Sequence, residues 1–489
     1  MNKRHFFFRL SSICYLLIAN LISILGQDAH YWTEQYGTKS MLLSGSVVGS
    51  VSDLGAVYYN PARLGVIENP AFVISAKVHQ LKKVTIEDAL GDNIDLKKSE
   101  FGGVPSLVAG TFKIKWLPKH RFAYAFLTRH NSDLDFSTRQ DVFGDVIEEM
   151  PGEEHFSGEV RLAKKFDEEW IGGTWSYPIN PNVSVGVSSF FTTRSQKGRI
   201  RNQMQSYSEA KEVSVMVMDY NYSFQHYGLN WKIGVALEYD NIMLGMTITT
   251  PKVSLSGDGS LQYDNIFTGI NNDPENSVYE VALQDGLTAK YKTPWSIAAG
   301  VGFNFWKGTL HLSTEYFSKV DRYTVMKADP FTGQSSGKKL EHELFQDLKS
   351  VLNYGIGYEM TFSEKVKAFA SYSSDYSSTD GGTGGAIIAP GIERNISTFS
   401  SDLNHLGGGI MLTFKGADIT LGTTYSFAKQ KIQRPLDFPD GDNDPIFGAD
   451  NMSTIHWSRW RFIVGISIPF FKDVAKKWEN KLMGEDSVD

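Results

Sequence analysis

From residue 72 onward the chain repeatedly alternates. Leu229, Trp231, Ile233, Val235, Leu237 and Tyr239 are interleaved with Asn230, Lys232, Gly234, Ala236 and Glu238, one parity large and apolar, the other small or polar. Ile297, Val301, Phe303 and Phe305 stand in the same way against Ser296, Gly300, Gly302 and Asn304, and Phe462, Val464, Ile466 and Ile468 against Gly465, Ser467 and Pro469. A period of two places the two sets on opposite faces of a β-strand. In a soluble sandwich the apolar face turns inward, whereas in a membrane barrel it turns to lipid and the small, polar face lines the lumen.

Connection lengths separate these two readings. The pattern predicts strands at residues 72–81, 105–116, 121–131, 157–177, 182–194, 212–239, 241–251, 288–305, 309–322, 351–362, 365–376, 403–415, 417–428 and 455–469. Tight links at 117–120, 178–181, 240, 306–308, 363–364 and 416 alternate with long ones, among them 251–287, 323–350, 377–402 and 429–454. Short periplasmic turns, long outside loops and an even strand count are what an outer-membrane barrel requires. The expected fold is therefore all-β: a 14-stranded antiparallel transmembrane β-barrel. Trp175, Trp231, Trp295, Trp306, Trp457 and Trp460 lie near strand ends, where an indole suits the lipid–water boundary.

Ahead of the first strand, residues 37–65 read GTKSMLLSGSVVGSVSDLGAVYYNPARLG, too rich in small residues and too interrupted for a core helix or a membrane span. Small residues let backbone pack closely inside a lumen, and Asn60-Pro61 is a turn signal. The segment is expected to be a plug inside the barrel, with Asp53 capping a short helix or pairing with a lumen base. Residues 1–26 read as a secretory signal, with Lys3, Arg4 and Arg9 before the apolar run 13–25. The expected domains are thus a signal at 1–26, a hatch at 27–71, the barrel at 72–471 and a periplasmic tail at 472–489.

Composition adds limits. The net charge of −7 becomes more acidic once the signal is removed, which gives nucleic acid no electrostatic purchase. The single cysteine, Cys14, lies in the signal, so a mature chain has no disulfide and no cysteine metal site. After the signal no run of about 18 apolar residues occurs, which excludes helical spans but not a closed barrel. Aromatic content of 13% with 45 glycines fits a turn-rich barrel with an aromatic surface.

The stretch 37–65 resembles the amino-terminal hatch of the FadL-like family of outer-membrane barrels, which carry long-chain fatty acids and other hydrophobic compounds. Gly37, Met41, Gly45, Asp53, Ala56, Tyr59, the run Asn60-Pro61-Ala62 and Leu64 carry the resemblance. It implies a monomeric, plugged barrel in a Gram-negative outer membrane that takes up a hydrophobic small molecule passively and releases it sideways beside a kinked third strand. Here residues 121–131 hold no Gly or Pro to make that kink. The chain also departs from the family in having Ser44-Gly45-Ser46 and a single acidic residue, Asp53, in the hatch. It adds a tail from Lys472 to Asp489, on which Val474, Trp478 and Leu482 form one stripe of a short helix.

No phosphate loop, zinc-type His pair or nucleophile elbow is present: Gly381–Gly385 lacks the Lys-Ser/Thr ending. No enzyme activity, cofactor or metal is expected, although Asp440, Asp442, Asp444 and Asn443 carry hard oxygen ligands in an outside loop. By parity Arg129 and Lys232 point into the lumen, where a desolvated cation beside apolar walls suits a carboxylate ligand. The rival expectation is a non-transporting interaction subunit of an outer-membrane assembly or type IX secretion complex, joined to an outer-membrane or periplasmic protein through its loops or the 472–489 tail.

Overall fold

The computed structural model describes residues 29–66, 72–74, 78–89, 93–104, 106–145, 150, 152–270, 277–379, 393–395, 401–415, 417–433 and 452–468. The expected signal 1–26, the expected tail 472–489, the glycine run 381–385 and Asp440, Asp442, Asn443 and Asp444 lie outside them.

Among the described residues one antiparallel ladder closes on itself. Its strands are β1 (Phe72–Ile74 and Val78–Glu87), β2 (Leu96–Val104 and Leu107–Phe112), β3 (Arg121–Gly144), β4 (Glu154–Asn180), β5 (Val183–Ser208), β6 (Val213–Tyr239) and β7 (Ile242–Thr249 and Val253–Thr268). They continue with β8 (Val278–Thr288 and Ser296–Phe305), β9 (Gly308–Phe317), β10 (Val351–Ser363), β11 (Val366–Asp375), β12 (Leu403–Phe414), β13 (Ala417–Gln433) and β14 (Met452–Ile468). Closure is made by β14 on β1, through Phe72↔Ile468 and Leu81↔Trp460. A ring of strands that pairs its backbone polar groups between neighbours meets the condition for crossing lipid with strands.

The faces sort by the alternation read from the sequence. Ile233, Val235, Leu312, Ile356, Phe462, Val464 and Ile466 are exposed on the outside, while Asn230, Lys232, Gly234, His311, Ser313, Arg459 and Arg461 face inward and are buried. Exposed Trp116, Phe305, Trp306, Phe362 and Phe414 mark the short-turn end. Trp457 corrects the boundary-tryptophan expectation: its parity turns it inward, where it is 4% exposed in the apolar core.

Two strand expectations are also corrected. The supposed outside loop 251–287 is mostly strand, because β7 and β8 continue as an antiparallel pair through Asp264↔Val281 and Phe267↔Val278. The expected strand 309–322 ends at Phe317, and the chain starts a separate strand at Val320–Lys327. Strands β4 and β6 each run 27 residues. At about 3.3 Å per residue and a tilt near 40° they rise on the order of 65 Å, far beyond an apolar band of about 25 Å. β9 and β11 have only 10 residues each, so the outer wall is tall on one side and low on the other.

Inside the tall wall the hairpin Val320–Lys327/Glu343–Leu348 folds back against the strands. Tyr323, Val325, Met326, Leu340 and Leu344 pack with Met216, Tyr220, Phe224, Leu261 and Tyr263 in an outer apolar cluster. A second cluster lies toward the short turns. It joins Tyr36, Met41, Leu42, Val51, Val57 and Tyr59 of the N-terminal segment to Leu107, Leu127, Trp170 and Phe190 of the wall.

Candidate functional site

Residues 29–66 lie within the ring of strands as helix α1 (Thr38–Leu42), helix α2 (Ala56–Tyr59) and a 3₁₀ turn (Pro61–Gly65). Of the two roles open to Asp53, capping is the one observed. Its carboxylate accepts from Lys39 N at 2.7 Å, Ser40 N at 3.0 Å, Ser40 Oγ at 2.8 Å and Gly55 N at 2.9 Å. Gly37 has φ +85°, and a Cβ there would fall 2.5 Å from Asp53 Oδ1, so glycine is required twice over. Gly45, at φ +75°, sits under the Tyr59 ring, whose hydroxyl accepts from Tyr36 N at 3.0 Å.

Asn60 ties the segment to the wall. Its Nδ2 donates to Val48 O and to Val235 O of β6, both at 3.0 Å, and its Oδ1 accepts from Ala62 N at 3.1 Å. Pro61 and Ala62 rest on inward-facing glycines: a Cβ at Gly186 would fall 2.5 Å from the Pro61 carbonyl carbon, and one at Gly234 would overlap Asn60 Oδ1. Inward serines satisfy the segment's carbonyls, Ser184 Oγ donating to Ala62 O at 2.8 Å and Ser188 Oγ to Val57 O at 2.7 Å. Met41 is an apolar contact in the inner cluster. Replacing Asp53 by Ala leaves the amides of Lys39, Ser40 and Gly55 without that acceptor. Because hydrogen bonds to a charged group contribute roughly 1.5–3 kcal/mol each, the variant is expected to lose about 3 kcal/mol, read as earlier urea-induced protease cleavage within 29–66.

The front of the segment meets charged residues that the sequence reading did not single out. Asp375 accepts from Tyr31 N at 3.0 Å, Trp32 N at 2.9 Å and Thr33 Oγ1 at 2.6 Å. Glu315 accepts from Trp32 Nε1 at 2.8 Å, and Glu34 is held by Arg459 at 2.8 Å and by Arg461. Inward parity on β9 and β14 was the available signal for Glu315, Arg459 and Arg461.

Arg129 and Lys232 flank one ring. The Arg129 guanidinium lies 5.8 Å and the Lys232 ammonium 4.4 Å from the Tyr58 centroid. Lys232 Nζ donates to Thr249 Oγ1 at 3.0 Å and Arg129 Nη2 to Tyr31 O at 2.7 Å, while Arg129 Nη1 is buried without a partner. Neither cation has a carboxylate within ion-pair distance among the described residues. The adjoining cavity, lined by Tyr31, Trp32, Tyr58, Tyr59, Lys232 and Glu315, is only about 10 Å³.

The third strand is irregular despite having no Gly or Pro there, which corrects the expectation of an unbroken strand. Its register on β4 slips between Thr128↔Glu169 and His130↔Glu168, leaving Arg129 as an extra residue, a β-bulge. Below it, β3 pairs with β2 from Phe112↔Phe122 to Leu107↔Leu127, and Thr128 N donates to Ser106 O at 3.1 Å. Above it, among the described residues, Leu96–Val104 pairs only with β1 and β3 only with β4. The wall therefore parts between β2 and β3, and a cavity of about 20 Å³ lined by Met41, Gln80, Ser106, Thr128, Asn131 and Arg461 sits at the seam.

A closed antiparallel ladder, a lipid-facing apolar band and a lumen filled by its own N-terminal segment define an outer-membrane β-barrel. The fold is that of the FadL-type barrels. The chain superposes on a FadL homologue from Pseudomonas aeruginosa with a TM-score of 0.54 and 10% identity, covering 90% of this chain and 100% of the other. It superposes on the toluene transporter TodX of P. putida with a TM-score of 0.53 and 13% identity, covering 89% and 99%. A deltaS2 mutant of the monoaromatic hydrocarbon channel TodX gives 0.52 and 14%, covering 89% and 99%. No family model and no curated protein matches the sequence.

Proposed function

We propose that the protein is a plugged barrel for passive uptake of a hydrophobic small molecule, residues 29–66 being the plug and the seam between β2 and β3 the lateral exit. The observation that carries this reading is the Arg129 bulge, which ends β2–β3 pairing beside the apolar cluster of Leu107, Leu127 and Trp170. A hydrophobic solute leaving there meets lipid without crossing water. The Arg129–Tyr58–Lys232 arrangement gives an anionic head, as on a long-chain fatty acid, two buried cations that have no carboxylate within ion-pair distance among the described residues.

The test is uptake of a labelled long-chain fatty acid and of a small aromatic hydrocarbon by a deletion strain. Complementation by wild type and failure by Lys232→Glu for the acid alone supports fatty-acid transport; equal failure for both assigns Lys232 to keeping the path open. No rescue of either by wild type removes the transport reading.

One observation favours the alternative of an interaction subunit. Two interior cavities lined by described residues of the N-terminal segment are only about 10 and 20 Å³, so passage through either requires that segment to move. A stoichiometric protein partner in native mass spectra of gently extracted barrel, together with absent uptake, would establish the subunit role.

A further inference from the structure

Leu81, Phe101, Tyr425 and Trp460 share one outward level of the ladder through the pairs Leu81↔Trp460, Leu81↔Phe101 and Tyr425↔Trp460. The Tyr425 and Trp460 rings are 4.5 Å apart, forming an aromatic ledge continuous with the lipid-facing band. The next levels are basic. Lys83 lies opposite Ser458 and Ser99, one step beyond the ledge; Lys429 and Lys97 flank His456 and Thr85 at the second; Lys431 lies opposite Thr454 at the third. All four lysines are exposed. A two-residue step rises roughly 5 Å at barrel tilt, so the ammonium groups lie within about 5–15 Å of the ledge, at headgroup depth.

Among the described residues, acidic groups on this face are few. Glu87 faces His456 at 3.2 Å, Asp95 faces Lys97 at 3.1 Å, and Asp402 at the outer end of β12 accepts from Ser377 N at 3.0 Å. Among the described residues Lys83, Lys429 and Lys431 have no carboxylate within ion-pair distance. The tall wall differs: there outward Arg161 is paired with Asp135 at 2.6 Å, Lys165 with Asp133 at 3.4 Å, and Arg199 with Asp219. The basic excess thus belongs to one sector, β13–β14–β1–β2, directly above an apolar ledge.

We propose that this sector is a binding site for the phosphate groups of an outer-leaflet glycolipid, with its acyl chains lying on the ledge. An occupant must be apolar at the level of Trp460 and anionic one to three steps above it. A phosphorylated membrane lipid has that profile, while a protein ligand would have to enter the bilayer to reach the ledge. Rigid strands place the lysines before the lipid arrives, so little ordering opposes binding. The orientation rests on the long connections lying outside.

The test is native mass spectrometry of the full barrel in detergent with added bisphosphorylated lipid A, alongside dephosphorylated lipid A. Wild type is expected to retain the bisphosphorylated form at least tenfold better. The Lys83→Gln/Lys429→Gln/Lys431→Gln variant is expected to lose that preference, and Lys165→Gln/Lys197→Gln on the other wall to keep it. Heat-modifiable migration on gels checks that each variant is folded, and the two-lipid comparison needs no variant at all. Equal retention of both lipids by wild type, or full preference in the triple variant, overturns the proposal. So does a preference that emerges only after residues 434–451 are deleted, since that loop's own carboxylates would then occupy the lysines.

Discussion

Deletion of Arg129 is expected to reduce hydrophobic uptake at least tenfold while leaving a folded barrel. The bulge is one residue wide: Thr128 opposes Glu169 and His130 opposes Glu168. Removing Arg129 joins these two registers without shifting either half of β3 on β4, so the lipid-facing and lumen-facing sets stay in place. The strand then loses its bulge, and the reason for β3 to leave β2 above Ser106 disappears. Arg129→Gln is the paired control, since it keeps the bulge and removes only the charge. If the seam is the exit, the deletion loses uptake of both acidic and neutral solutes, and the glutamine variant retains the neutral one. Unchanged uptake in the deletion, with the folded form verified by heat-modifiable migration, would exclude the seam as a route.

The second large effect is expected from filling the inward-facing glycines. Gly186 and Gly234 lie under Pro61 and Asn60 so closely that a methyl group at either position would occupy the same space as the N-terminal segment. Overpacking of this kind costs about 1–3 kcal/mol per site, and here the strands are held by the closed ladder while the segment is held by side-chain contacts. The segment should therefore yield first. Gly186→Val/Gly234→Val is expected to give a barrel that remains in the membrane but leaks. The checks are greater sensitivity to large antibiotics normally excluded by the outer membrane, and protease cleavage within residues 29–66. A variant as tight as wild type would show that these residues do not seal the lumen.

Much of the wall was legible because lipid imposes a strong rule. Within the membrane each strand must be apolar on one face, and the Leu229–Tyr239 and Phe462–Ile468 alternations report that directly. Above the membrane the rule lapses. Residues 253–268, VSLSGDGSLQYDNIFT, face water on one side and packed loop on the other, so they lack the contrast that identifies a strand and read as a loop. Trp457 was misplaced for a related reason: nearness to a strand end suggested the lipid boundary, but parity and the outer apolar cluster turned it inward.

The candidate site was legible only in outline. Asn60, Pro61 and Ala62 were recognisable as a turn in a small-residue segment, and Gly37 and Asp53 as members of one motif. That Asp53 closes on Lys39 and Ser40 while Gly37 makes room for it depends on residues 13–16 apart meeting in three dimensions. Asp375, more than 300 positions from Tyr31, anchors the segment through contacts that no local pattern encodes.

The sequence by itself determined that the chain forms alternating strands with short turns at one end, that their apolar face is continuous enough for lipid, and that a glycine-rich segment precedes them. These follow from local chemistry: side-chain period, turn residues and the absence of long apolar helices. The tertiary structure decided the register, and with it which glycines lie beneath Pro61 and Asn60, which lysines gather above Trp460, and where the wall parts. The bulge shows why. Nothing in Leu127-Thr128-Arg129-His130 specifies an extra residue, yet among the described residues β3 pairs with β2 below this point and only with β4 above it, while Tyr31 O receives Arg129 Nη2 and Tyr36 donates to Thr128 O. The buried parity changes there, from Ala123, Ala125 and Leu127 to Ser132, Leu134 and Phe136, so the alternation registers the slip only as a change of phase; which neighbour the strand keeps and which it loses is settled by the pairing.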